Sequence, residues 1–138
     1  MSVSNSKTTG EARIRERIEA WAKSVRARDI DGIMASHAPD ILLFDVRPPV
    51  QSRGIDAYRK SWEQFFPWFG DSGIFDISEL RVTAGNDVAF CHGLIRCNGT
   101  GTSGGKVELV VRLTVCYQKI NGQWMVTHEH HSEPSVIT

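Results

Sequence analysis

The chain has 138 residues, with sixteen basic and sixteen acidic side chains that give a formal net charge of zero. That length suits one domain with its own core, and without any Lys/Arg cluster the charge balance excludes the basic footprint of a nucleic-acid binder. No apolar run reaches the roughly 18 residues of a membrane span, and the polar N-terminus lacks a signal-peptide segment, so a cytoplasmic protein is expected.

Residues 1–8 read as a polar, disordered tail and residues 9–138 as a single domain. Thr8-Thr9-Gly10-Glu11 has capping-box spacing, so a first helix is expected from about Glu11. Ile14, Ile18, Trp21, Ala22 and Val25 form its apolar stripe, with Arg13, Arg15, Glu16, Arg17 and Glu19 covering the rest. Asp29 suits the cap of a short second helix through Ile30, Ile33, Met34 and His37, which Pro39 ends. Ile41-Leu42-Leu43-Phe44-Asp45 then reads as a short strand, broken by Arg47-Pro48-Pro49. Ile55, Tyr58, Trp62, Phe65, Phe66 and Phe69 make a third, strongly aromatic helical stripe.

From Ile74 onward the period changes to two, which predicts strands near Ile74–Thr83, Asp87–Cys97, Val107–Lys119 and Trp124–His131. Asn86-Asp87, the glycine-rich stretch Asn98–Gly105 and Asn121-Gly122 supply turns between them. Helices first and strands afterwards argue an α+β fold: a cone-shaped barrel in which three N-terminal helices cover the concave face of a strongly curved antiparallel sheet. Cys91 and Cys97 fall on one strand about 20 Å apart at ~3.3 Å per residue, too far to bridge. With Cys116 the count is odd, and all three read as reduced, buried thiols.

The last strand concentrates the chemistry. Alternation puts Trp124, Val126, His128 and His130 on one face and Met125, Thr127, Glu129 and His131 on the other. His128 and His130 thus project together as an acid/base or metal-ligand pair. No paired cysteines or His-Glu-x-x-His signature accompanies them, and neither a metal nor a cofactor is expected. A bulge would change which face looks inward.

The order helix, short helix, strand ending in Asp45, aromatic helix and long strands closing on Gly122-x-Trp124-x-x-x-His128-x-His130-x-Ser132 resembles the nuclear-transport-factor-two-like superfamily. Within it, Val111-Arg112-Leu113-Thr114-Val115 and the segment from Asn121 to Ser132 resemble the SnoaL-like group of ketosteroid-isomerase homologues. They are also similar to the association domain of calmodulin-dependent protein kinase II.

The resemblance implies a general-base role for Asp45, five residues after Asp40, as in the isomerases; its alternative is a strand-end carboxylate bonded to the turn or to an arginine. Where the isomerases place a tyrosine on the first helix, this chain has Trp21, and where they place a second acid it has Arg112, a departure from their pattern. Arg112 suits a developing negative charge or an anionic ligand, or else a structural ion pair with Asp45, Glu108 or Glu129. His130 is the expected acid/base partner, or a member of a structural histidine network. Trp21, Tyr58, Trp62, His92 and His128 are the expected ligand-binding residues, with packing as the plainer role of the aromatics and of His92. Two functions follow: a cofactor-independent isomerase, cyclase or lyase acting on a small apolar or anionic molecule, or a noncatalytic ligand-binding or homo-oligomerisation domain. Either is expected as a homodimer or higher oligomer, with no nucleic-acid or membrane partner.

Overall fold

The computed structural model describes residues 3–70 and 73–137. Three helices, α1 (Val3–Arg26), α2 (Ile30–Met34) and α3 (Ile55–Phe69), accompany six strands: β1 (His37–Phe44), β2 (Ser52–Arg53), β3 (Phe75–Ala84), β4 (Val88–Thr100), β5 (Lys106–Ile120) and β6 (Gln123–Ser132). The strands form one curved, unclosed sheet in the order β2-β1-β6-β5-β4-β3. Among the described residues no helix is long and apolar enough to cross a membrane.

The expected α+β architecture is present, with one change in the sheet. It is mixed, because β1 runs parallel to β6 while every other pair is antiparallel. Parallel neighbours need a long crossover, and here α3 and the antiparallel strands supply it between β1 and β6.

Helix α1 starts at Val3, ahead of the Thr8-x-x-Glu11 capping box, and takes in residues 3–8, the stretch read as a tail; residues 1 and 2 lie outside the described residues. Its apolar stripe packs as periodicity requires: Ile14, Ile18, Trp21, Ala22 and Val25 are all buried. Asp29 caps α2 by accepting from the Gly32 N–H at 3.1 Å. That helix stops at Met34, so His37, expected on it, instead opens β1. Strand β1 runs through Pro39, the residue expected only to stop a helix.

Two irregularities bend the sheet. In β3 the register shifts between Ser78 and Arg81, where Glu79 has a φ of 54°. In β6, Val126 pairs with Tyr117 and His128 with Cys116, leaving Thr127 as an extra residue. A bulge of this kind reverses the inside–outside alternation beyond it.

The core lies between α1, α3 and one face of the sheet. Trp21 and Trp62 meet edge to face at 5.6 Å, each packed similarly against Phe75 at 5.4 and 6.1 Å. Aromatic pairs favour that geometry. Cys91 and Cys97 are buried free thiols, while Cys116 is half-buried and also free. On the opposite face of the sheet Val88, Phe90 and Val110 are exposed.

Candidate functional site

The ends of β1 and β6 lie side by side because those strands pair in parallel, with Phe44 opposite His130. Ile41 and Leu43 are buried on the inner face, and two-residue alternation brings Asp45, just past β1, to that face as well. On β6 the bulge at Thr127 exchanges the two faces. Trp124 and Val126 point inward before it; Glu129 and His131 are buried after it.

The expected histidine pair therefore does not enter the interior. His128 and His130 flank Phe44 at ring separations of 4.6 and 5.4 Å, and His128 Nδ1 meets the Leu42 carbonyl at 2.7 Å. His130 is exposed, its pKa lowered by partial burial and by the nearby charges of His128, His131 and Arg112. Arg112 is exposed on the same outer face, where its Nε donates to Ser132 Oγ at 3.2 Å. None of the carboxylates expected for it pairs with it. His92 is also exposed, opposite Thr114 of β5 and Arg81 of β3.

The interior groups are Glu129 and His131, on the strand face opposite the expected pair, and His37, expected on the second helix. Glu129 is 1 % exposed. Its Oε2 accepts from the Tyr58 hydroxyl at 2.7 Å and lies 2.6 Å from His37 Nε2, while Oε1 lies 3.0 Å from His131 Nε2. Trp21 Nε1 in turn donates to the Tyr58 oxygen at 3.0 Å. Tyr58, held in turn by Trp21, thus bonds this carboxylate, and neither aromatic lines the cavity that opens at Asp45. Burial alone would raise the Glu129 pKa, but hydrogen bonds and charge from His131 and His37 outweigh it and bring the carboxyl down to about 2.

His131 Nδ1 stands 3.7 Å from Asp45 Oδ1, so the ring lies between two carboxylates. A carboxylate on either side of the ring, one hydrogen-bonded and one within ion-pair distance, favours the doubly protonated imidazolium. Burial works against that charge, yet Asp45 and Glu129 overcome it and lift the His131 pKa to about 9. The rings of Trp21 and Trp62 lie 6.1 and 6.2 Å from the imidazole. Asp45 is itself held below the usual carboxylate range: burial pushes it up, but His131, the Val46 N–H at 2.7 Å and the Arg47 charge prevail.

Asp45 and His131 open onto a cavity of about 300 Å³. Trp62, Phe65 and Trp68 of α3 form one wall, and Phe75, Ile95, Cys97, Leu109 and Val111 of the sheet form another. Ser61, Arg47 and Glu133 add polar groups. Arg47 Nη1 and Nη2 donate to the Gln64 and Ser61 carbonyls at 3.3 Å each. Of the residues expected to bind a ligand, Trp62 lines this space. A mainly apolar cleft with a few converging polar groups is the usual form of a small-molecule site. Among the described residues, no group of three His, Cys, Asp or Glu side chains is placed to hold a metal ion.

Signals for these residues existed in the sequence, since Asp45 was expected and Glu129-x-His131 is itself an alternating pair. What reversed their direction was one unpaired residue in β6.

Comparison with known proteins agrees with the architecture. An NTF2-like protein of unknown function from Pseudomonas putida KT2440 is 38 % identical, with 92 % of this chain and 88 % of that one covered and a TM-score of 0.79. A ketosteroid isomerase-like protein from Erwinia carotovora atroseptica SCRI1043 is 20 % identical over 91 % of this chain and 97 % of that one, with a TM-score of 0.76. The association domain of C. elegans CaMKII is 15 % identical over 94 % of this chain and 99 % of that one, with a TM-score of 0.71. These last two share the fold. No curated protein matches the chain. The family model described as a SnoaL-like domain matches residues 14–136, nearly the whole chain, and with the 38 % identical relative it establishes that this chain belongs to the SnoaL-like domain family.

Proposed function

We propose that the cavity binds a small, flat, largely apolar molecule and that Asp45 and His131 carry out acid–base chemistry on it, as a cofactor-independent isomerase, cyclase or lyase. The observation that carries this reading is the 3.7 Å gap between Asp45 Oδ1 and His131 Nδ1 at one end of an apolar cavity. That separation is longer than a good hydrogen bond. It leaves the His131 Nδ1–H without a close acceptor in the protein, so that it can donate to a substrate oxygen lying beside the pair while Asp45 faces a neighbouring acidic proton.

The two shifts set opposite roles near neutral pH. Asp45, lowered, is the anionic base; His131, raised to about 9, is the cationic donor. Asp45 takes a proton from carbon, and His131 either stabilises the oxyanion that forms or passes its own proton to a departing hydroxyl. Glu129 keeps the ring in place and balances its charge, while Arg47 at the same cavity suits an anionic substituent.

Self-association is the second part of the proposal. Val88, Phe90 and Val110 are exposed on the outer sheet face, the first two as neighbours on β4 and Val110 farther along, opposite Arg96, and exposed apolar side chains on a sheet face suit a contact surface. The likeness to a kinase association domain supports the same idea. It is compatible with catalysis, because the cavity opens on the other side of the sheet.

A panel of hydroxy-ketones and cyclic enones incubated in D₂O tests the catalytic reading. Enzyme-dependent deuterium incorporation or loss of water, absent in Asp45→Asn and His131→Gln, is the expected result. No turnover and no saturable binding by the wild-type protein would leave only the assembly reading, which light scattering decides.

A further inference from the structure

Gly99 stands where a side chain would collide with the cavity wall. It is buried in β4 opposite Val107, and a Cβ added to it would lie 2.2 Å from Trp68 Cε2, 2.3 Å from Cδ2 and 2.5 Å from Cε3. Those atoms belong to the fused part of the indole, so Trp68 rests on the strand backbone in the space a Cβ would take. Non-bonded carbons settle near 3.5–4.0 Å, about 1 Å or more beyond these distances. Gly99 is not among the glycines with positive φ, so an alanine could adopt its backbone conformation. Space for the indole, rather than backbone freedom, is what this glycine provides.

Trp68 also lines the cavity, half-buried, with the Phe65 ring 5.6 Å away. Strand β4 stands behind the indole and Phe65 beside it, and the cavity is the open volume next to it. We propose that Gly99 and Trp68 together determine ligand specificity: the glycine lets the indole lie back against β4, and that seat sets how large a ring system the cavity admits. The inference rests on the ligand-binding reading above and adds a size limit to it, with two fused rings admitted and a methyl group at position 99 cutting the space to one.

Crystal structures of Gly99→Ala and Trp68→Ala, with phenol and 2-naphthol titrated into each variant and into wild type by NMR, test this. In Gly99→Ala the indole is expected to move into the cavity, with 2-naphthol affinity falling roughly tenfold or more and phenol affinity staying within about threefold. Trp68→Ala is expected to enlarge the cavity and to shift preference towards the larger probe. An indole swung out to solvent, or an unchanged cavity in Gly99→Ala, overturns the proposal. Should Gly99→Ala not fold, an unchanged preference between the two probes in Trp68→Ala overturns it instead. Wild-type protein that binds neither probe counts against the ligand-binding reading, and the crystal structures then decide the role of Gly99 by themselves.

Discussion

Glu129 Oε1 accepts a hydrogen bond from His131 Nε2 at 3.0 Å, two residues along β6 on the same inner face. The contact joins a fully buried carboxylate to the ring that faces the cavity, and His37 and Tyr58 close the other side of the carboxylate.

His131 should titrate near pH 9 by ¹H–¹⁵N NMR, and both Asp45→Asn and Glu129→Gln should lower its midpoint. Because its pKa is raised from 6.5 to about 9, its contribution to stability is complete below 6.5 and is lost as pH rises through about 9. Glu129, lowered from 4.5 to about 2, contributes fully above 4.5 and loses that contribution as pH falls towards 2. Urea midpoints across pH should therefore plateau between these limits. A His131 midpoint at the ordinary histidine value would contradict the arrangement.

Glu129→Gln should destabilise the fold by about 3–5 kcal/mol, since it removes the buried anion that His37 and His131 share. Tyr58→Phe removes one hydroxyl between Trp21 and Glu129 and should cost about 1–3 kcal/mol. The double variant should fall short of the sum, because both changes strip the same carboxylate. Equilibrium urea unfolding of the three variants measures this.

The bulge in β6 makes an opposite pair of expectations for adjacent histidines. If the site is catalytic, His131→Gln should lower turnover by roughly 10²–10⁴-fold, the usual range for a general acid or base. His130→Gln and Arg112→Ala, on the outer face, should leave turnover within a factor of about three, in keeping with surface substitutions. Equal losses at His130 and His131 would point to a structural origin for both.

Cysteine reactivity should follow burial. Burial pushes the Cys91 thiol up to about 12 and Cys97 to about 11, and thiolate is the reactive form. Iodoacetamide at pH 8 should label half-buried Cys116 first, with Cys91 and Cys97 modified only on unfolding. Mass spectrometry of native and urea-treated samples distinguishes the order.

Much of the architecture was legible before any coordinates. The stripe from Ile14 to Val25, the aromatic stripe from Tyr58 to Phe69 and the four long strands all follow from periods of 3.6 and two, and the family resemblance follows from their order. Asp45 was legible too, as a carboxylate closing an apolar strand. Trp21 and Tyr58 were legible as residues of two apolar helical stripes, though not as the hydrogen-bonded chain that reaches Glu129.

Local sequence by itself determined the main helices and the four long strands and, within each unbroken stretch, which side chains share a face, because backbone period is a property of neighbouring residues. Tertiary structure decided which of those faces looks inward. A single extra residue at Thr127 turned Glu129 and His131 to the interior and His128 and His130 away from it, and the parallel pairing of β1 with β6 brought Asp45 beside His131. The pairing depends on register between strands distant in sequence and the inward turn on a bulge within the β5–β6 hairpin, and two-residue alternation encodes neither.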